Sequence, residues 1–108
     1  MTLNEYQVKA ATTAIYPKDV GLVYTVLGLA SEAGEVAGKL KKIYRDFDGI
    51  LTSEQKIELA NEAMDCVWYA SQILKELDIT FETAAQTNIE KLISRRERGV
   101  IKGNGDNR

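Results

Sequence analysis

Apolar residues return every three or four positions along most of this chain and nowhere alternate over a long stretch, so helices are expected and strands are not. The first predicted helix begins near Thr2, where Thr2 and Glu5 have the spacing of a capping box, and it ends before Pro17. The second spans about Gly21 to Tyr44, its apolar stripe running through Leu29, Val36, Leu40 and Ile43. The segment Arg45-Asp46-Phe47-Asp48-Gly49 is too polar to continue it and predicts a turn. Thr52 or Ser53 then suits the N-cap of a third helix, which extends to Leu77 with Leu59, Cys66, Ala70 and Ile73 on its apolar side. Asp78-Ile79-Thr80 breaks the pattern, and a fourth helix is predicted from Phe81 to Arg98. The expectation is an all-α, four-helix-bundle-like domain over residues 1–98. The Gly- and Asn-rich tail, 99–108, has the composition of a flexible flap.

Composition narrows the chemistry mainly through what is missing. The chain has no histidine, which excludes His-based acid–base catalysis, ordinary zinc sites and Glu-x-x-His di-iron sites. Its one cysteine, Cys66, forms no internal disulfide and suits a reducing cytoplasm. The formal net charge of −2 gives no basic field for nucleic acid. No uninterrupted apolar run reaches the roughly 18 residues of a membrane span, and MTLNEYQ lacks the regions of a signal peptide. A cytoplasmic chain is expected, with neither nucleic acid nor membrane as partner. At 108 residues it is one domain with a thin core, which self-association would enlarge. Val23 and Leu27, opposite Leu29 and Val36, make the second helix apolar on two sides, as association requires.

Four acidic residues carry the candidate chemistry. Glu32 and Glu35 are three residues apart on the second helix, and Glu62 and Asp65 repeat that spacing on the third. A three-residue step turns a helix by about 300°, so each pair projects to nearly one side. Both pairs border the apolar stripes, where a carboxylate carries a desolvation cost. If the two helices pack antiparallel, four carboxylates converge, repel and raise one another's pKa. A hard divalent cation relieves this, and oxygen ligands without His or Cys select Mg²⁺ or Mn²⁺. The alternative is two solvated acidic faces, with Lys39 pairing Glu35 one turn on. Gly28, Gly34 and Gly38 on the same helix each cost about 1 kcal/mol relative to Ala, which points to a packing or access requirement.

On the fourth helix Asn88, Lys91 and Arg95 share one side, a plausible grip for phosphate. The alternative is a basic helix end complementing its dipole, the default for Arg96 and Arg98. No Walker-type glycine loop is present. Cations beside a metal-binding carboxylate site suit metal-assisted attack of water on phosphorus. Tyr6, Gln7, Trp68 and Tyr69 are candidates to stack on or hydrogen-bond a base, with core packing the favoured role of Trp68.

Glu32-Ala-Gly-Glu35 and, after 26 intervening residues, Glu62-Ala-Met-Asp65 resemble the E-x-x-E…E-x-x-D pattern of the MazG-like nucleoside triphosphate pyrophosphohydrolases. Supporting likenesses are Tyr24 to Ser31, Lys41 to Asp46, Val67-Trp68-Tyr69 and Asn88 to Leu92. The run from Arg98 to Arg108 resembles the short, phage-like branch, and the resemblance covers nearly the whole chain. Met64 stands where many members have Gly, and Asn61 where many have Glu.

The resemblance implies hydrolysis of (deoxy)nucleoside triphosphates between the α and β phosphates, to a monophosphate and pyrophosphate. It implies Mg²⁺, with Mn²⁺ a possible substitute, held by Glu32, Glu35, Glu62 and Asp65. Asn88, Lys91 and Arg95 would contact phosphate, joined by Lys39, and Glu35 is the candidate base from its central place in the motif. A homodimer or dimer of dimers is implied, in the host cytoplasm if the chain is phage-encoded. The alternatives are the same chemistry on dUTP, dCTP or guanosine tetraphosphate, and a non-catalytic helical interaction module.

Overall fold

The computed structural model describes residues 1–108 and contains helices and turns only. Helix α1 is Leu3–Ala11, α2 is Gly21–Phe47, α3 is Ser53–Glu76 and α4 is Phe81–Glu97, with a single 3₁₀ turn at Lys18–Val20 before α2. The all-α expectation is met, and local chemistry moves two boundaries. Thr12 and Thr13 donate their hydroxyls back to the carbonyls of Lys9 and Ala10, at 2.6 and 2.7 Å, closing α1 well before Pro17. This is the competition with helical hydrogen bonding expected of such residues. Conversely α2 runs through Phe47, past the start of the predicted turn, with Arg45 and the adjacent Asp46 paired on its surface at 2.7 and 2.8 Å. It stops at Asp48 and Gly49, both in the left-handed region, where the glycine carries no Cβ penalty.

Both predicted starts are capping boxes: Thr2 with Glu5, and Thr52 with Gln55. The start of α4 is capped mostly from outside. Phe81 N–H donates to Gln7 Oε1, Glu82 N–H to Asn4 Oδ1, and Thr83 N–H to Thr80 Oγ1. Three of the unpaired donors that open any helix are thereby satisfied, two by side chains of α1. Gln7 also donates to the carbonyls of Ser71 and Ile79, at 3.1 and 3.0 Å. Its carboxamide ties α1, α3 and α4 together and is not free to read a base.

The body of the molecule is the α2–α3 pair. Glu76 packs on Gly21, Tyr69 on Gly28 and Glu62 on Lys39, so the two helices run antiparallel. A methyl group added at Gly28 would overlap the Tyr69 ring, whereas Gly34 and Gly38 meet nothing within 4 Å. Replacing Gly28 by Ala gains about 1 kcal/mol of helix propensity but forces an overpacking cost of about 1–3 kcal/mol. We expect Gly28→Ala to lower the melting temperature by several degrees. A thermal melt showing a rise would mean that Tyr69 moves aside freely.

Helix α4 packs on α1 and α3 and makes no contact with α2. The protomer is open: its radius of gyration is 16.7 Å, against about 13 Å for a compact chain of this length. Ala10, Tyr16 and Ile43 are the only buried hydrophobic residues, while Val23 and Leu27 are 61% and 65% exposed. The helical stretch Lys18–Phe47 is long and apolar enough, by length and composition, to cross a membrane. Its pairing with α3 along the carboxylate seam identifies it instead as a bundle helix with one apolar side uncovered.

Candidate metal and nucleotide site

The antiparallel register that sets Gly28 against Tyr69 also sets Glu32 level with Asp65, and Glu35 level with Glu62. One carboxylate oxygen from each of Glu32, Glu62 and Asp65 lies within 4.8 Å of the others. The half-buried pair Glu32 and Glu62 faces the more exposed Asp65. Glu35 does not join that group. The expected convergence of four carboxylates is thus one of three, with the fourth one turn along α2.

The cluster fits a hard divalent ion. Its donors are carboxylate oxygens alone, and two ligands of one Mg²⁺ stand no more than about 4.2 Å apart, within a small side-chain rotation of what is seen. Partial desolvation, followed by the charges of Asp65, Glu62 and Glu35, pushes the Glu32 carboxyl above its ordinary pKa. An acid raised in the folded state opposes folding once pH exceeds its unfolded value of about 4.5. We therefore expect Glu32→Gln to raise the metal-free melting temperature at pH 7, with the difference vanishing below pH 4. Melts across that range in chelator would show no pH-dependent difference if Glu32 were an isolated surface acid.

Lys39 does not make the intrahelical pairing that the solvated-face alternative gave it. Its Nζ lies 3.0 Å from Glu62 Oε1 across the helix interface rather than on Glu35. The Glu62 bond, ahead of the charges of Glu62, Glu58 and Glu35, holds the lysine above its ordinary pKa. One of the three clustered carboxylates thus has an internal counter-ion.

The cations of α4 form no ion pair with this cluster within the protomer; Lys91 and Arg95 face Asp106 instead. Arg95 is only 5% exposed. Its Nη2 donates to the Asp106 carbonyl at 2.9 Å and lies 3.4 Å from the Asp106 carboxylate, which also faces Lys91 Nζ at 3.7 Å. Residues 99–108 form turns folded against the end of α4, with Arg108 Nε donating to the Val100 carbonyl. Asn88 and Lys91 line a separate groove with Ile79, Thr83, Ala84 and Thr87.

Trp68 is neither a core residue nor a distant one. With Thr13, Glu32, Asp65 and Tyr69 it lines a cavity of about 350 Å³. Its Nε1–H donates to Thr13 Oγ1 at 2.9 Å, and its ring meets that of Tyr69 edge-on, with centroids 5.0 Å apart. Burial, then Tyr24, Glu32 and Asp65 nearby, push the Tyr69 phenol upward. Burial, then the Asp65 charge, does the same to Tyr6, which packs edge-on against Phe81. The part of Thr13 was not foreseeable, because a threonine just past a helix end signals only a cap.

Residues 23–100 match the MazG nucleotide pyrophosphohydrolase domain, a span holding all four motif acids and the α4 cations. The Gene 37 protein of Mycobacterium phage L5 is 46% identical over 114 aligned positions, covering 100% of each chain. No solved structure matches.

Proposed function

Because the chain belongs to the MazG nucleotide pyrophosphohydrolase family, we propose that it hydrolyses (deoxy)nucleoside triphosphates between the α and β phosphates, using Mg²⁺. The observation that carries this is the Glu32, Glu62 and Asp65 cluster on two facing helices. These carboxylates would hold the cation, with Mn²⁺ able to substitute for it. When bound, the cation offsets the charge of the triphosphate and polarises its phosphorus–oxygen bonds.

The remaining tasks fall to residues around the cluster. Glu35, on the same helix but outside the group of three, is a fourth candidate ligand and our choice to accept the proton of the attacking water. The water oxygen bonds to the α phosphorus as the α–β bridge breaks, releasing pyrophosphate and the monophosphate. Lys39 is tied to Glu62 at 3.0 Å and would contact phosphate if that carboxylate served as a metal ligand instead. Asn88, Lys91 and Arg95 would contact phosphate from the α4 of a second copy, since in their own protomer Lys91 and Arg95 pair with Asp106 and not with the acidic cluster. Asp106, now 87% exposed on its side chain, would yield these cations as the tail shifts to act as a flap. The enzyme is accordingly a homodimer or a dimer of dimers, working in the cytoplasm of the host that its phage relative suggests.

The test is incubation of the purified protein with a panel of nucleoside triphosphates and Mg²⁺, with separate detection of pyrophosphate and orthophosphate. Pyrophosphate appearing in step with monophosphate is the expected result. A panel that includes dUTP, dCTP and guanosine tetraphosphate also fixes the substrate. Absence of turnover with every compound and every divalent ion would overturn the assignment.

A further inference from the structure

The cavity beside the acidic cluster contains a flat apolar surface that metal binding does not require. Thr13 has one hydroxyl proton, and it is directed to the Ala10 carbonyl at 2.7 Å. Its lone pairs are therefore left for the Trp68 indole N–H, which donates to them at 2.9 Å. The indole is thus anchored to the C-terminal end of α1 through two consecutive hydrogen bonds. Tyr69 supports it edge-on, with an interplanar angle of 84°, and Gly28 leaves no slack behind Tyr69. Trp68 is half-buried and lines a cavity that also contains Glu32 and Asp65.

We propose that Trp68 is the platform on which the nucleobase of the substrate stacks, with Thr13 as its positioning residue. This rests on the nucleotide reading above and adds where the nucleoside lies: against the indole, its phosphates directed to the carboxylates. A cavity of about 350 Å³ is near the lower end of small-ligand sites, about 300–1,000 Å³, and suits a nucleoside better than a larger group. The indole N–H is already engaged by Thr13, so the platform offers a π-face and no free donor. Stacking of that kind tolerates every base and contributes about 1–3 kcal/mol, or roughly 5- to 150-fold in affinity. Broad base tolerance at this surface follows, with purines, having the larger face, binding somewhat more tightly.

Trp68 is the only tryptophan of the chain, so its fluorescence reports this cavity alone. The full-length protein with Mg²⁺ is titrated with a non-hydrolysable α,β-imido deoxynucleotide and, separately, with tripolyphosphate, while calorimetry follows binding. Quenching by the nucleotide and not by tripolyphosphate is expected. Trp68→Leu should lose about tenfold or more in nucleotide affinity and none for tripolyphosphate, and Trp68→Phe should retain most of both. Thr13→Val should raise KM severalfold with kcat little changed, and Thr13→Ser should restore it.

Equal fluorescence changes with both ligands, or none while calorimetry records nucleotide binding, would overturn the platform and leave the hydrolase reading intact. Failure of the protein to bind either ligand would overturn both.

Discussion

Glu62→Gln and Asp65→Asn should each reduce Mg²⁺-dependent turnover by about 100- to 1,000-fold, the scale on which loss of one preorganised electrostatic group is felt. Each replaces a charged oxygen ligand by a neutral amide of the same shape, so the expected loss lies in cation binding and not in packing. Two further measurements separate these. In chelator, Asp65→Asn should melt at or above the wild-type temperature, because removing one acid relieves the repulsion already felt by Glu32, whereas Glu62→Gln should gain less. On adding Mg²⁺, the wild type should gain stability, by about 2.7 kcal/mol at 100 times its dissociation constant, and the variants should gain far less. Glu62→Gln carries an extra signature, since it also removes the partner of Lys39. A variant with full activity and a full Mg²⁺ response would remove that residue from the ligand set.

What the sequence disclosed about this site follows a physical division. Local chemistry was legible: Thr2 with Glu5 and Thr52 predicted helix starts because a cap involves only residues within one turn. The acidic spacing was legible for the same reason, as helical geometry places residues three apart on one side. Which acids meet was less so, because register depends on close approaches such as Gly28 to Tyr69. Lys39 shows the difference well. Its intrahelical partner could be counted from spacing, yet it bonds Glu62 on the facing helix. Arg95 was legible as a cation and not as a buried one. Its partners are the backbone and side chain of Asp106, in a segment with no periodicity to read. Gln7 had the chemistry to read a base but is fully engaged in joining α1, α3 and α4.

The openness of the protomer predicts the largest stability effect. Its accessible surface is 7811 Å², whereas a compact monomer of this mass exposes about 6,000 Å². The excess, about 1,800 Å² per chain, falls in the range of obligate homodimers when doubled, about 2,000–5,000 Å² in total. Val23, Leu27, Gly34 and Gly38 lie on one stripe of α2, at about 100° per residue. The two apolar residues are exposed, and the two glycines meet nothing in their own chain. Two helical glycines without a contact cost about 2 kcal/mol together relative to Ala, a loss that a closely approaching second helix would offset.

We therefore expect the wild type to sediment as a single oligomer at micromolar concentration, and Leu27→Glu to abolish both association and the cooperative melt. Gly34→Ala supplies the sign test. If solvent covers the stripe, helix propensity raises the melting temperature by several degrees. If a second copy covers it, the added methyl lowers that temperature and makes it more dependent on protein concentration. We expect the second result. A Leu27→Glu protein that remained oligomeric and melted like the wild type would place the interface elsewhere.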